Sequence, residues 1–220
     1  MARQWIKYEL KKDPLKATIV FIEKLIREKK QTVISSLIGF VVVIVFAGII
    51  YFAHKKNVEA AYASLIRAEN ILYSDPNLAI TLADSVISNL KSDNELTALA
   101  SYIKADALFI KKDYKSALKF YKNALKKINP AFKPNVIYSL AKTYEALGKI
   151  DEAQKKYQEF LGDFDRHYLA EDVYLSLARI FIQRGFYKEA KNYIEIVKSR
   201  SQGTKWEEYA KELASLIPGS

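Results

Sequence analysis

The chain has 220 residues, of which 50% are hydrophobic and 27% are charged, and its formal net charge at pH 7 is +10. It contains no cysteine, which excludes disulfide bonds and thiolate metal sites. Residues 1–32 and residues 54–220 each carry a net charge of +5, so the long segment is only mildly basic and nucleic acid is not expected as its partner.

The first predicted element is a basic amphipathic helix within residues 1–32. Asp13 followed by Pro14 is typical of a helix start, with the aspartate as N-cap and the proline in the first turn. From Leu15 to Ile26, apolar residues recur at helical spacing and basic residues occupy the other faces. This helix either lies on the inner leaflet or docks on a membrane partner, or it is a lipid-facing anchor without a partner.

Residues 33–53 form an uninterrupted apolar segment of 21 residues without a charged side chain. As a helix the segment is about 31 Å long, which matches the thickness of a bilayer core. A cleavable signal peptide is disfavoured, because 32 residues precede the segment and no small-x-small pattern follows it. A buried helix of a soluble protein is rarely apolar on every face for six turns. We therefore predict a transmembrane signal anchor.

The charges beside this segment predict its orientation. The tail of residues 1–32 holds nine basic side chains, whereas Lys55 and Lys56 on the other side are followed by no base until Arg67. The positive-inside rule then keeps the N-terminus in the cytoplasm. The protein is predicted to cross the inner (plasma) membrane once, with residues 54–217 forming a periplasmic or other extracytoplasmic domain.

Residues 54–217 show helical periodicity throughout and contain a repeated motif. Glycine is sparse in this segment and is expected at breaks between helices, at Gly148, Gly162, Gly185 and Gly203. In its two clearest copies, Leu-Ala is followed by an aromatic residue, a glycine, an aromatic residue or isoleucine, and Glu-Ala. The positions are Leu140, Ala141, Tyr144, Gly148, Ile150, Glu152 and Ala153, and then Leu177, Ala178, Phe181, Gly185, Tyr187, Glu189 and Ala190. This pattern resembles the tetratricopeptide repeat, in which small residues let paired antiparallel helices approach closely.

The spacing of the motif predicts about four repeats. Earlier copies centre on Ala79 and Ala117, and the steps from Ala79 through Ala117 and Ala153 to Ala190 are 38, 36 and 37 residues. The usual period is about 34 residues, so the extra residues are assigned to loops such as 129–134. Residues 205–217 are predicted to form a capping helix. The fold is thus predicted to be all-α: an N-terminal transmembrane helix, then a tetratricopeptide-repeat α-solenoid with a C-terminal capping helix.

The concave face of such a solenoid, lined by the first helix of each repeat, is the expected binding surface. The groove-facing residues predicted from the repeat alignment are Tyr102, Asp106, Phe109, Tyr138, Lys142, Glu145, Leu175, Arg179 and Ile182. Their mixed aromatic, aliphatic and charged character suits an extended or helical hydrophobic peptide. The pair of lysine and asparagine that holds a C-terminal carboxylate in some repeat proteins is not recognised, so that ligand is not predicted. Coverage of part of this surface by the terminal helix or by a partner stays open.

A second candidate surface is a basic face formed by Lys115, Lys119, Lys122 and Lys126. Offsets of 4, 7 and 11 residues place the four lysines on one side of a helix. The face either contacts anionic headgroups or an acidic partner, or it is an ordinary solvated convex surface.

The sequence contains no arrangement that supports catalysis. The two histidines, His54 and His167, cannot form a Cys–His catalytic or metal site, because the sequence contains no cysteine. The segment from Asp163 to Asp165 resembles part of a calcium loop but lacks the remaining ligands. Phosphate-binding glycine loops and hydrolase motifs are missing from the sequence as well. We therefore predict a non-enzymatic protein without a cofactor, a metal ion or a small-molecule substrate.

The whole layout resembles the YfgM-like ancillary subunits of the SecYEG translocon. The similarity includes the entry Lys11 to Leu15 before the anchor and the stretch Asn77 to Asp84 in the first repeat. It implies a protein-binding accessory of the Sec translocon that assists exported proteins or links them to chaperones. Its partners would be translocon subunits, a chaperone or exported clients. Two alternatives stay open: a scaffold of another envelope complex (division, outer-membrane assembly or motility), and an organelle import receptor with cytosolic repeats.

Overall fold

A computed structural model describes residues 14–90 and 95–218. The helices in these ranges are α1 (Pro14–Glu28), α2 (Lys30–Ile71), α3 (Pro76–Leu90), α4 (Glu95–Ile110), α5 (Tyr114–Ala124), α6 (Lys133–Ala146), α7 (Ile150–Phe164), α8 (Ala170–Gln183), α9 (Tyr187–Arg200) and α10 (Lys205–Ser215). A 3-10 turn, Pro130–Phe132, precedes α6. Because the described residues contain helices and no strands, the predicted all-α class is confirmed.

The chain divides into two compact units, Met1–Lys56 and Asn57–Ser220. In the first unit, α1 begins at Pro14, and its predicted N-cap, Asp13, lies outside the described residues. Helix α2 contains an apolar stretch that is long and apolar enough to cross a membrane, and none of that stretch is buried. Large side chains such as Phe40 and Phe46 are 64% exposed there. The length and composition fit a membrane segment, and membrane insertion stays a prediction.

The second unit is built from antiparallel helix pairs. Helices α4 and α5, α6 and α7, and α8 and α9 pack as successive pairs, and α10 packs against α8 and α9. The end of α2 shares one hydrophobic cluster with α3 and α4, which includes Leu65, Ala83 and Ile103. The predicted repeat helices and the capping helix are therefore present.

Small residues lie where the helices of each pair meet. The alanines used to align the repeats, Ala79, Ala117, Ala153 and Ala190, have no exposed surface. Large side chains fill the space between pairs: Tyr157 and Phe160 of α7 are also fully buried, in one cluster with Val173 and Leu177 of α8. Burial of these aromatic rings supplies the continuous core that single repeats lack.

Two details of the predicted loops are corrected. The segment 129–134 is shorter than expected, because α6 begins at Lys133 and Pro134 is buried in its first turn. Proline suits that position, since the first amides of a helix have no intrahelical acceptor. Gly162, which the sequence places at a break between helices, lies inside α7.

The turns inside the helix pairs use a left-handed residue. Gly148 and Gly185 have φ values of 70° and 76°, and Lys112 takes the equivalent place in the α4–α5 turn with a φ of 63°. A left-handed conformation strains a residue that carries a Cβ atom, which explains the glycine in the two clearest copies of the motif.

We expect opposite effects from the same substitution at two glycines. Gly148→Ala should lower the free energy of unfolding by about 1–2 kcal/mol, because a Cβ atom disfavours its positive φ. Gly162→Ala, in a helix and with open space around it, should raise the free energy of unfolding by about 0.5–1 kcal/mol. Urea unfolding monitored by circular dichroism measures the free energy of unfolding of both variants. An equal change in this free energy for the two variants would contradict the assigned turn.

Candidate peptide-binding groove

Five of the nine predicted groove residues line one concave pocket with a volume of about 400 Å³. They come from the first helices of two neighbouring pairs, α4 and α6. These five residues are Tyr102, Asp106, Phe109, Tyr138 and Lys142. The repeat alignment therefore predicted side chains that the fold brings together, although they are up to 40 residues apart in the sequence.

The walls of this pocket are mainly aromatic. Six rings line it: Tyr73, Tyr102, Phe109, Tyr121, Tyr138 and Tyr168. The remaining lining residues are Asp106, Ile110, Asn135, Ser139, Lys142 and Leu169. Sequence reasoning missed Tyr73, Tyr121 and Tyr168 as pocket residues, because they lie in a turn, on a second helix and in an inter-repeat connection. Only the positions of the first helices could be read from the repeat.

Two other predicted groove residues lie in a second pocket of about 420 Å³, between α8 and α10. Leu175 and Arg179 face the capping helix there, together with Asp172. Helix α10 contributes Trp206, Tyr209, Glu212, Leu213 and Leu216. Only 7% of Leu175 is exposed, so the terminal helix covers part of the predicted surface. Ile182 lines neither of these two pockets and is half-buried.

Hydrogen bonds join the groove sides of α6 and α8. The hydroxyl of Tyr138 donates to Oδ2 of Asp172. The guanidinium of Arg179 donates to Oε1 of Glu145 at 2.6 Å, which places an ion pair between two predicted groove residues. Glu145 and Arg179 therefore neutralise each other, and their charges act first to hold neighbouring repeats together.

In two helix pairs, a tyrosine of the second helix holds a carboxylate of the first helix. The Tyr121 hydroxyl of α5 donates to Oδ1 of Asp106 at 2.5 Å, and the Tyr157 hydroxyl of α7 donates to Oε2 of Glu145 at 2.8 Å. Burial and the nearby carboxylates raise the pKa of both tyrosines. Both phenols therefore stay protonated and act as donors over the whole physiological range.

Among the described residues that line the 400 Å³ pocket, Asp106 is the one acidic side chain. Burial raises the pKa of Asp106 to about 7, although hydrogen bonds from Tyr121 and Tyr102 favour the ionised form. The nearby negative charge of Glu69 raises that pKa further. Among the described residues no cation forms an ion pair with Asp106. A carboxyl group poised near neutrality and facing a pocket is a group that a ligand can use.

Neither a metal site nor an intact basic helix face is found in the described part of the chain. No group of three or more His, Asp or Glu side chains there is arranged to hold a metal ion. Lys115, Lys119 and Lys122 are exposed on α5, but the helix ends at Ala124, so Lys126 lies in the following turn. The sequence pattern assumed a longer helix. A role for these lysines stays a prediction.

The pKa of Asp106 predicts how stability depends on pH. Since the folded state binds this proton more tightly than the unfolded state, its contribution to stability is lost as the pH rises from about 4 to about 7. Asp106→Asn should flatten this part of the profile, by up to ~1.4 kcal/mol per pH unit relative to wild type. Urea unfolding of both proteins between pH 4 and 8 measures the difference, and parallel profiles would contradict the burial of this group.

Comparisons with known proteins support the repeat and the fold. Residues 138–194 match the sequence profile of the tetratricopeptide repeat family. No curated protein sequence matches the chain.

Solved structures share the fold at low sequence identity. A crystal structure of MamA is 20% identical, with a TM-score of 0.54, over 74% of this chain and 87% of that chain. The nearly identical TPR-like repeats of a predicted kinesin light chain from Podosopora anserina are 14% identical, with a TM-score of 0.55, over 71% and 92%. Residues 138–194 therefore contain tetratricopeptide repeats, and the helical domain shares the fold of tetratricopeptide-repeat solenoids.

Proposed function

We propose that this protein is a membrane-anchored, non-enzymatic module whose concave groove binds a segment of a partner protein. Tetratricopeptide repeats are scaffolds for protein–protein interaction. The observation that carries the proposal is the aromatic pocket of about 400 Å³ between α4 and α6, on the face where such solenoids bind. It is large enough for one or two side chains of an extended or helical peptide.

The lining of the pocket suits a peptide better than a small polar substrate. Six aromatic rings offer apolar area, and a few polar groups, including Asn135 and Ser139, fix the orientation of what binds. A continuous ligand that passes from this pocket to the second one, beside Trp206 and Leu216, would contact three successive first helices and the capping helix. Contacts at several points along an extended chain are how repeat proteins gain affinity.

We further propose that residues 33–53 hold this module at the inner membrane, with the basic tail in the cytoplasm and the repeats outside it. The apolar, unburied stretch of α2 supports insertion, and the excess of basic residues before it supports the orientation. The resemblance to YfgM-like subunits favours a place beside the Sec translocon. In that role the groove assists exported proteins or links them to a chaperone.

Insertion is tested by arginine substitution. Val42→Arg combined with Val43→Arg should release the protein from membranes washed with alkaline carbonate, because each arginine costs about 2.5–3.5 kcal/mol near the centre of a span. Tyr62→Arg combined with Ile66→Arg, at exposed positions of the same helix outside the span, is the matched control and should stay in the pellet. Equal release of both double variants would contradict anchoring by residues 33–53.

The partner is tested by crosslinking in intact cells. A benzoylphenylalanine placed at Tyr138 in the pocket should trap translocon subunits or exported chains, whereas the same residue at Lys191, exposed on α9, should not. Adducts with division or outer-membrane machinery at Tyr138 would keep the interaction module and move it to another envelope complex. Identical adducts at Tyr138 and Lys191 would overturn the groove as the binding face.

A further inference from the structure

We propose that the pocket at Asp106 is a subsite for a basic side chain of the bound peptide, with the lysine ammonium or arginine guanidinium between aromatic rings and against the Asp106 carboxylate. The inference rests on the proposed function, because it names the side chain that the groove recognises. It follows from the combination of one partly buried acid, aromatic walls and, among the described residues, the lack of a counter-ion for that acid.

The first argument is the unsatisfied charge of Asp106. Its carboxylate accepts hydrogen bonds from the hydroxyls of Tyr121 and Tyr102, and an ionised carboxylate has about four acceptor sites. Lys142 is the only basic residue in the lining, and within residues 14–90 and 95–218 it makes no ion pair with Asp106. Two acceptor sites are therefore left for a donor that enters from the groove.

The second argument is the nature of the walls. Aromatic faces attract cations, and cages of aromatic side chains bind ammonium ligands in other proteins. Burial raises the pKa of Tyr102, Tyr121 and Tyr138, so these rings are neutral phenols. Tyr168, with 67% of its surface exposed, forms the accessible edge of the same pocket. The stem of a lysine would lie along the rings while its ammonium reaches the acid.

The third argument is that a bound cation would stabilise the ionised form of Asp106. Burial raises the pKa of Asp106 to about 7, because the charged form has lost hydration and the hydrogen bonds from Tyr121 and Tyr102 only partly offset that loss. The carboxylate of Glu69 on α2 adds negative potential. Tyr102 of α4, Tyr121 of α5 and Tyr138 of α6 are neutral, and Lys142 of α6 lines the same pocket. A cation binds the ionised form, so its affinity should rise as the pH increases through about 7 and then level off.

The subsite is tested first with a small cation and the full-length protein in detergent. A trifluoromethyl-phenylalanine at Phe109 places a fluorine reporter in the pocket, and n-butylammonium chloride is titrated against n-butanol at equal ionic strength. We expect butylammonium to shift the fluorine resonance in a saturable manner. Its apparent affinity should be at least tenfold higher than that of butanol and should increase between pH 6 and 8. Asp106→Asn should abolish the shift and its pH dependence, whereas Glu212→Gln, the same loss of charge in the other pocket, should leave both intact.

The groove is tested in parallel with three blocked peptides of leucine and serine that differ in one central residue: lysine, norleucine or glutamate. We expect the lysine peptide to bind at least tenfold tighter than the norleucine peptide, and Asp106→Asn to remove this preference while norleucine binding persists. Tyr168→Ala should weaken the lysine peptide several-fold by removing one wall.

The outcomes separate the two proposals. Equal affinity for lysine and norleucine peptides, or a butylammonium shift that persists in Asp106→Asn, overturns the basic subsite and leaves the peptide groove standing. A butylammonium shift that depends on Asp106 without binding of any peptide supports the subsite and overturns the peptide-binding function.

Discussion

Close approach of helices through alanine is the constraint on which the domain depends. Ala105 and Ala117 of the second repeat, and Ala141 and Ala153 of the third, have no exposed surface. A larger side chain at these contacts would force the helices apart or out of their preferred rotamers. Because each pair is held close, its large residues project toward the next pair, and this places Tyr157 and Phe160 between repeats. The groove is a consequence, since it is the side of the first helices that this packing leaves uncovered.

Polar bonds then fix how one pair sits on the next. Most of the long-range side-chain bonds join residues 33 to 35 positions apart, including Lys111 with Asn77, Asn129 with Glu95, Asn135 with Tyr168, Tyr138 with Asp172, Glu145 with Arg179, Asp151 with Arg184 and Asp165 with Arg200. This is about the usual period of 34 residues, although the alanines are 36 to 38 apart. Because this separation is shorter than the step between equivalent alanines, the bonds join non-equivalent positions of neighbouring repeats.

These bonds also explain which groove residues could be predicted and which could not. The period of the motif is local information, so it identified the helix pairs, the buried alanines and the first-helix positions of Tyr102, Asp106 and Tyr138. The orientation of one helix pair relative to the next cannot be read from the motif. This orientation brings Tyr73 and Tyr168 to the same pocket and pairs Arg179 with Glu145.

The errors of the sequence prediction have local causes as well. A helix interior tolerates glycine at a cost of roughly 1 kcal/mol, so Gly162 inside α7 could not be told from a helix end by composition. Proline is allowed in the first turn, so Pro134 was equally compatible with a loop. The end of α5 at Ala124 depends on the packing of the following turn, where Ile128 is buried, and the lysine spacing carried no sign of it.

The modest size of the pocket fits a module that acts while tethered. A cavity of about 400 Å³ holds one or two side chains, and a contact of that size gives weak binding in free solution. The proposed membrane segment ends at residue 53, four residues before the repeat unit begins at Asn57. For a module tethered in this way, a partner held at the same membrane would be present at an effective concentration of the order of millimolar. Weak, repeated contacts are then sufficient for occupancy, and release stays fast. The proposed role of Asp106, recognition of one charge within an apolar segment, would add selectivity without the large buried area that would make release slow.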